Sequence, residues 1–158
     1  MELTTRQGHS ASVLGLAGRN SMDAAYVAEA FEAGLNYFFF YNLESENFLN
    51  GLKLLLTTKR EQVLVATGTQ ERDVSRVRHE FDSVRDRLNI DEVDVFFAEY
   101  ISPDDDMTQV EAMLDALQEW KSKGLIRYVG VTTHNRAIAL EMIERKACDV
   151  LMHRYNMA

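Results

Sequence analysis

Three groups of residues in this chain are of types that could support chemistry. Asp104, Asp105 and Asp106 follow Pro103, and three adjacent carboxylates could ligate a hard cation through oxygen. A simpler reading competes: acids in the first turn of a helix stabilise its positive end, and a preceding Pro suits a helix start. We prefer the helix start. Gly15 and Gly18 invite a phosphate-loop reading, but no third Gly and no Gly-Lys-Ser/Thr ending follows, so they read as a tight strand-to-helix turn. His9, His79, His134 and His153 are dispersed, lack the paired spacing of a zinc site, and read as surface or loop residues.

Composition narrows the classes. The acid excess leaves a formal charge of -8 with no offsetting basic cluster, so neither a nucleic acid nor an anionic membrane is an expected partner. A single cysteine, Cys148, cannot close an internal disulfide, which fits a reducing compartment. No apolar run nears the ~18 residues needed to span a bilayer, and the amino terminus lacks a charged segment followed by an apolar one. These features predict a soluble, cytoplasmic protein. At 158 residues, 46% of them hydrophobic, the chain suits one core and one domain, or part of one.

The elements that must position any site repeat one rhythm. From Lys123 to Asn135 a charged helix end, Gly124 in the C-cap position, a short apolar strand and a polar loop follow one another. Further strands are expected at 12–17, 35–41, 63–67 (running out at Gly68) and 93–100, with a sixth beginning at Asp149. Ser21 is the expected N-cap of a helix carrying Val27 and Phe31 inward. Ser45 opens the next, with Phe48, Leu49, Leu52 and Leu56 on its inner side. Arg72 to Leu88 is the clearest amphipathic stretch, a fourth helix carries Val110, Leu114, Leu117 and Trp120, and a fifth runs from Arg136 to Lys146. Met1 to Ala11 could be a short hairpin or an arm packed beneath the domain.

Six apolar strands alternating with five helices call for a parallel sheet curling toward closure, an α/β partial (β/α) TIM-type barrel. A closed eightfold barrel usually takes ~250 residues, and this chain has material for about three quarters of one.

Several segments now carry a resemblance. In order they are Ser-Val-Leu-Gly-Leu, Ala-Gly-Leu-Asn-Tyr-Phe, Ser-Glu-Asn-Phe-Leu, Val-Leu-Val-Ala-Thr, Arg-Leu-Asn-Ile-Asp-Glu-Val-Asp-Val, Leu-Ile-Arg-Tyr-Val-Gly-Val-Thr-Thr-His-Asn and the closing Arg-Tyr-Asn. Their order and spacing resemble the amino-terminal part of an aldo/keto reductase. The resemblance implies NADP as cofactor and carbonyl reduction, in which a Tyr gives the proton, a Lys paired with an Asp lowers that Tyr's pKa, and a His orients the carbonyl. Matched residue by residue, the family's Asp falls on Phe39, its Lys on Gly68 and its His on Glu99. Tyr41 is the only candidate for the Tyr. The family's nicotinamide-contacting Ser-Asn corresponds to Thr132 and Thr133, and its Gln to Met152. Its loops for the cofactor's phosphates follow two strands that would lie beyond Ala158.

The resemblance therefore gives Tyr41 and Glu99 as candidate catalytic residues, Thr132 and Thr133 as candidate cofactor contacts, and no metal. His134 and His153 belong near the barrel mouth and, with Glu99, could make a divergent acid-base or metal-binding group. Three functions stay open: a relative that has lost the reaction, an NADP(H)-dependent oxidoreductase within a longer chain, and a self-associating barrel fragment whose homo-oligomer covers exposed strand edges.

Overall fold

The structure is a computed structural model describing residues 2–19 and 21–154. Its elements are β1 (Leu16–Ala17), α1 (Ala25–Glu32), β2 (Tyr37–Phe39), α2 (Glu46–Lys59), β3 (Leu64–Thr69), α3 (Val74–Leu88), β4 (Val93–Ala98), α4 (Met107–Ser122), β5 (Ile126–Thr133), α5 (Arg136–Glu144) and β6 (Val150–His153). All strands are parallel and lie in the order β1-β2-β3-β4-β5-β6. Each crossover therefore moves one strand along in the same direction, which is the winding of a barrel; the six strands and five helices form a curled half-barrel.

Strand periodicity divides the apolar residues between two layers. Phe39, Leu64, Ala66, Val95, Phe97 and Tyr128 cluster on the inner face. Phe38, Phe40, Val65, Phe96, Val129 and Val131 meet the helices, including Leu49 and Leu52 of α2, Phe81 of α3 and Trp120 of α4. Both faces are covered, which is why β3 and β4 are mostly apolar, with Asp94 the one charged residue in them.

The amino-terminal ends of the strands are held by charge. Asp94, fully buried, meets Arg60 at 2.8 Å and Arg127 at 2.9 Å and accepts the Val65 N–H at 2.9 Å. Residues 2–11 form a short hairpin with an antiparallel bridge between Thr4 and Ser10. It lies beneath the barrel, where Arg127 donates to the carbonyl oxygens of Thr4 and Thr5.

Four local expectations are corrected. Ser21 does not cap α1: that helix starts at Ala25, and the Asp23 carboxylate accepts the Ala25 N–H at 2.9 Å. Gly68 does not end the third strand but pairs with Phe97 inside it, because the absent side chain lets β3 and β4 approach closely. The three acids after Pro103 do not act together in a helix's first turn. Asp106 is the N-cap of α4, accepting the Thr108 N–H, whereas Asp105 turns away to pair with Arg72 at 3.1 Å. The fifth helix stops at Glu144, and Lys146 takes a left-handed conformation with φ 53°. Gly18 follows β1 directly: its N–H donates to the Phe39 carbonyl oxygen, continuing the pairing with β2, and a Cβ there would lie 2.6 Å from the Phe48 ring. Among the described residues no helix is long and apolar enough to cross a membrane. Tyr155 and Asn156 lie outside the described residues.

Candidate active site at the barrel mouth

The carboxyl ends of the strands, where barrel enzymes carry their chemistry, gather every candidate residue. β2 ends at Phe39 and delivers Tyr41 two residues later; β3 brings Gly68; β4 leads into Glu99 and Tyr100; β5 carries Thr132 and Thr133; β6 brings His153.

Aromatic rings plug this end. Phe39 meets Phe97 edge-on at 6.0 Å between ring centroids and Tyr41 at 4.7 Å. Tyr41 stacks on Tyr100 at 6.3 Å, and Tyr100 meets His134 at 5.4 Å. Such offset and edge contacts suit the ring quadrupoles. The Tyr41 phenol is pushed up to about 12, first by its hydrogen bond with Tyr100, then by burial and the fields of Tyr100 and Glu99.

A cavity of about 610 Å³ opens beside the plug, with Tyr41, Gly68, Thr69, Val84, Phe96 and Glu99 among its walls. Glu99 is 2% exposed, and its Oε1 has no hydrogen-bond partner. Burial pushes its carboxyl up to about 7, with Glu80 adding to the shift and Arg72 opposing it. The neighbouring guanidinium does not reach that carboxylate. Arg72 Nε and Nη2 donate to Asp105, Nη1 donates to the carbonyls of Gln70 and Glu71, and Nη2 also donates to the Glu99 main-chain oxygen.

The two threonines tie the β4–α4 loop to β5. Thr132 Oγ1 accepts the Tyr100 N–H at 2.7 Å, which holds Tyr100 at φ 53°. Thr133, fully buried, donates from its hydroxyl to the Ile101 oxygen at 2.6 Å and accepts the Asn135 N–H at 3.0 Å. A second cavity, about 320 Å³, is lined by Tyr41, Tyr100, Thr132, His134, Met152 and His153. His153 Nδ1 lies 2.7 Å from the Thr133 carbonyl oxygen, so this nitrogen carries the proton.

The structure thus joins Tyr41 to Glu99 at the larger cavity and Tyr41 to Thr132, His134 and His153 at the smaller one. Thr133 lines neither. The grouping of Glu99 with both histidines is not formed: Glu99 lines the larger cavity and the histidines the smaller, and among the described residues no His, Cys, Asp or Glu cluster could hold a metal ion. Sequence reasoning missed Tyr100 and Arg72. Tyr100 directly follows a candidate residue, which could have drawn attention to it; Arg72 has no local signal.

A parallel barrel segment with aromatic and polar side chains gathered at the carboxyl ends of its strands is the class that fold and site define. The chain belongs to the aldo/keto reductase family, whose model matches residues 14–158. Among curated proteins, none matches it. Solved structures agree in fold. The holo form of an aldo-keto reductase from Bacillus halodurans is 18% identical with a TM-score of 0.76, the match covering 98% of this chain and 57% of that one. An aldo-keto reductase from Pseudomonas aeruginosa is 21% identical with a TM-score of 0.79, covering 99% and 68%. One from Klebsiella pneumoniae, in complex with NADP and acetate, is 12% identical with a TM-score of 0.78, covering 98% and 59%. The chain therefore spans little more than half to two thirds of these relatives.

Proposed function

We propose that this chain keeps the aldo/keto reductase scaffold without its carbonyl reduction, and serves as a binding module. The observation that carries this reading is the lining of the large cavity beside Tyr41, where no Lys or Arg stands among the described residues. A proton donor works best with a pKa near the operating pH, and the family chemistry relies on a nearby cation to lower that of its Tyr. Here that cation is missing, and hydrogen bonding with Tyr100 followed by burial pushes the Tyr41 phenol the other way, to about 12.

The surroundings support the same reading. Gly68 supplies no cation, Phe39 supplies a ring where a carboxylate is needed, and the Thr133 hydroxyl is buried and engaged with Ile101. The residues present therefore fit a nicotinamide poorly.

Titration of the purified chain with NADPH and NADH, followed by cofactor fluorescence with the mass in solution recorded alongside, tests the proposal. The expected result is no saturable binding at micromolar cofactor and no reduction of a simple aldehyde. Saturable binding with turnover would instead favour an NADP(H)-dependent oxidoreductase, with Thr132 beside the open second cavity as the first contact to examine.

A further inference from the structure

Among the described residues at the mouth, the Glu99 carboxyl is the one group with a buried side-chain atom left without a hydrogen-bond partner. Its Oε1 is buried and unpartnered, and a buried acceptor left this way is unfavourable relative to a satisfied one. The nearest cation cannot serve it, because the five N–H donors of Arg72 are all committed to Asp105 and to main-chain oxygens. Arg76, the next along α3, reaches Glu71 at 3.4 Å. The cavity that Glu99 faces adds two further acids, Glu71 and Glu80, and no Lys or Arg among its described lining residues.

We propose that this cavity binds an aliphatic primary amine, with its ammonium group seated against the Glu99 carboxylate and its hydrocarbon stem against Phe96, Val84 and Leu43. The chemistry of the lining selects this class. An ammonium brings three N–H donors to an acceptor that has none, and Tyr41 stands on the same cavity wall. A volume of about 610 Å³ lies within the range of small-molecule sites. A metal ion is the poorer occupant, since no described cluster of His, Cys, Asp or Glu could hold one.

Binding is coupled to a proton. Burial pushes Glu99 up to about 7, so near neutral pH part of the protein carries it protonated, and an arriving cation favours the ionised form. The groups facing it are Tyr41 from the β2–α2 loop, Arg72 ahead of α3, and Glu80 on α3, with Glu71 and His79 on the same cavity wall. An amine bound at pH 7 therefore releases a fraction of a proton to buffer.

The proposal does not depend on the loss of carbonyl reduction. An amine that fails to bind leaves that reading intact, and aldehyde turnover with NADPH would overturn that reading without bearing on this one. The test is calorimetric titration with n-butylamine at pH 7 and pH 8, with n-butanol as the neutral isostere, on the native chain and on Glu99→Gln. Amide chemical shifts of the native chain are followed in parallel.

The expected results are saturable binding of the amine and none of the alcohol. Affinity should fall about tenfold or more in Glu99→Gln, as for loss of a charge-assisted contact. The heat at pH 7 should depend on the buffer's ionisation, and the largest shifts should fall on Gly68, Thr69 and Glu99. Equal affinity in Glu99→Gln, equal binding of butanol, or no saturation by the amine would overturn the proposal. If Glu99→Gln does not fold, the shift map of the native chain decides: shifts confined to the outer rim at His79 and Glu80 would overturn it.

Discussion

The main-chain oxygen of Phe97 lies 2.4 Å from the point where a Cβ on Gly68 would stand. Phe97 Cβ and Glu99 Cγ crowd the same point at 2.6 and 2.8 Å. The obstacle includes backbone, so it cannot rotate away. This glycine is what allows β3 and β4 to pair as they do, and it also keeps a lysine out of the place where the family's chemistry would want one.

Gly68→Ala is therefore expected to lower stability by roughly 1–3 kcal/mol, the usual cost of forcing atoms into a packed interior. Gly68→Lys should cost more, so rebuilding the family's catalytic set as Phe39→Asp, Gly68→Lys and Glu99→His should give a poorly folded chain before any question of turnover arises. Urea denaturation midpoints check this, and an unchanged midpoint for Gly68→Ala would refute the close approach.

Glu99 gives a pH dependence with a definite sign. Its folded pKa of about 7 lies above the ordinary 4.5, so between these values the native state holds a proton that the unfolded chain has released. Stability from this group is fully present below about 4.5 and lost as pH rises toward and past 7, with an upper bound of about 3 kcal/mol. Glu99→Gln should consequently gain stability over the native chain at pH 8 and gain little at pH 5. A stability difference that does not change with pH would sink this account.

At the opposite end of the barrel, Asp94 is fully buried between Arg60 and Arg127. Removing one member of a buried ion pair strands the others, which costs about 3–5 kcal/mol. Asp94→Ala should lose stability on that scale, measured by denaturant unfolding, and should also loosen the amino-terminal hairpin, which depends on Arg127. A loss below 1 kcal/mol would mean that solvent reaches the two guanidinium groups.

For Tyr41, hydrogen bonding with Tyr100 is the first cause of its raised pKa. Tyr100→Phe should bring the Tyr41 phenol down from about 12 toward the ordinary value near ~10, read from the ultraviolet absorbance of tyrosinate during alkaline titration. If the titration curve for Tyr41 is unchanged, the two hydroxyls are not joined in solution.

What the sequence revealed, and what it concealed, follows from the range of the interactions involved. The strands were legible because they are covered on both faces: Val93 to Ala98 is buried throughout, so an apolar run interrupted only by Asp94 was the signal. The inner side of α2 was legible from spacing, its Phe48, Leu49, Leu52 and Leu56 all being buried, and so was the amphipathic stretch that forms α3. Gly68 was misread because a glycine after an apolar run ordinarily marks an end, whereas here it marks a contact with a neighbouring strand 29 residues later in the chain. The pairing of Arg72 with Asp105 spans 33 residues, and no local pattern announces it. Placement of Tyr41 and Glu99 beside one cavity needed only the order of the strands. The burial of Thr133 depended on the path of the loop after β4, which no periodicity encodes.

The hold of Arg127 on Thr4 and Thr5 joins positions 122 and 123 residues apart. Closing so long a loop is entropically costly and comes late in folding. The first dozen residues are made first but can dock only after β5 exists. Contacts absent from the folding transition state act mainly on the rate of unfolding. The hairpin is thus a kinetic latch: removing residues 2–11, which leaves the pairing of Arg127 with Asp94 in place, should hasten unfolding while leaving the refolding rate nearly unchanged.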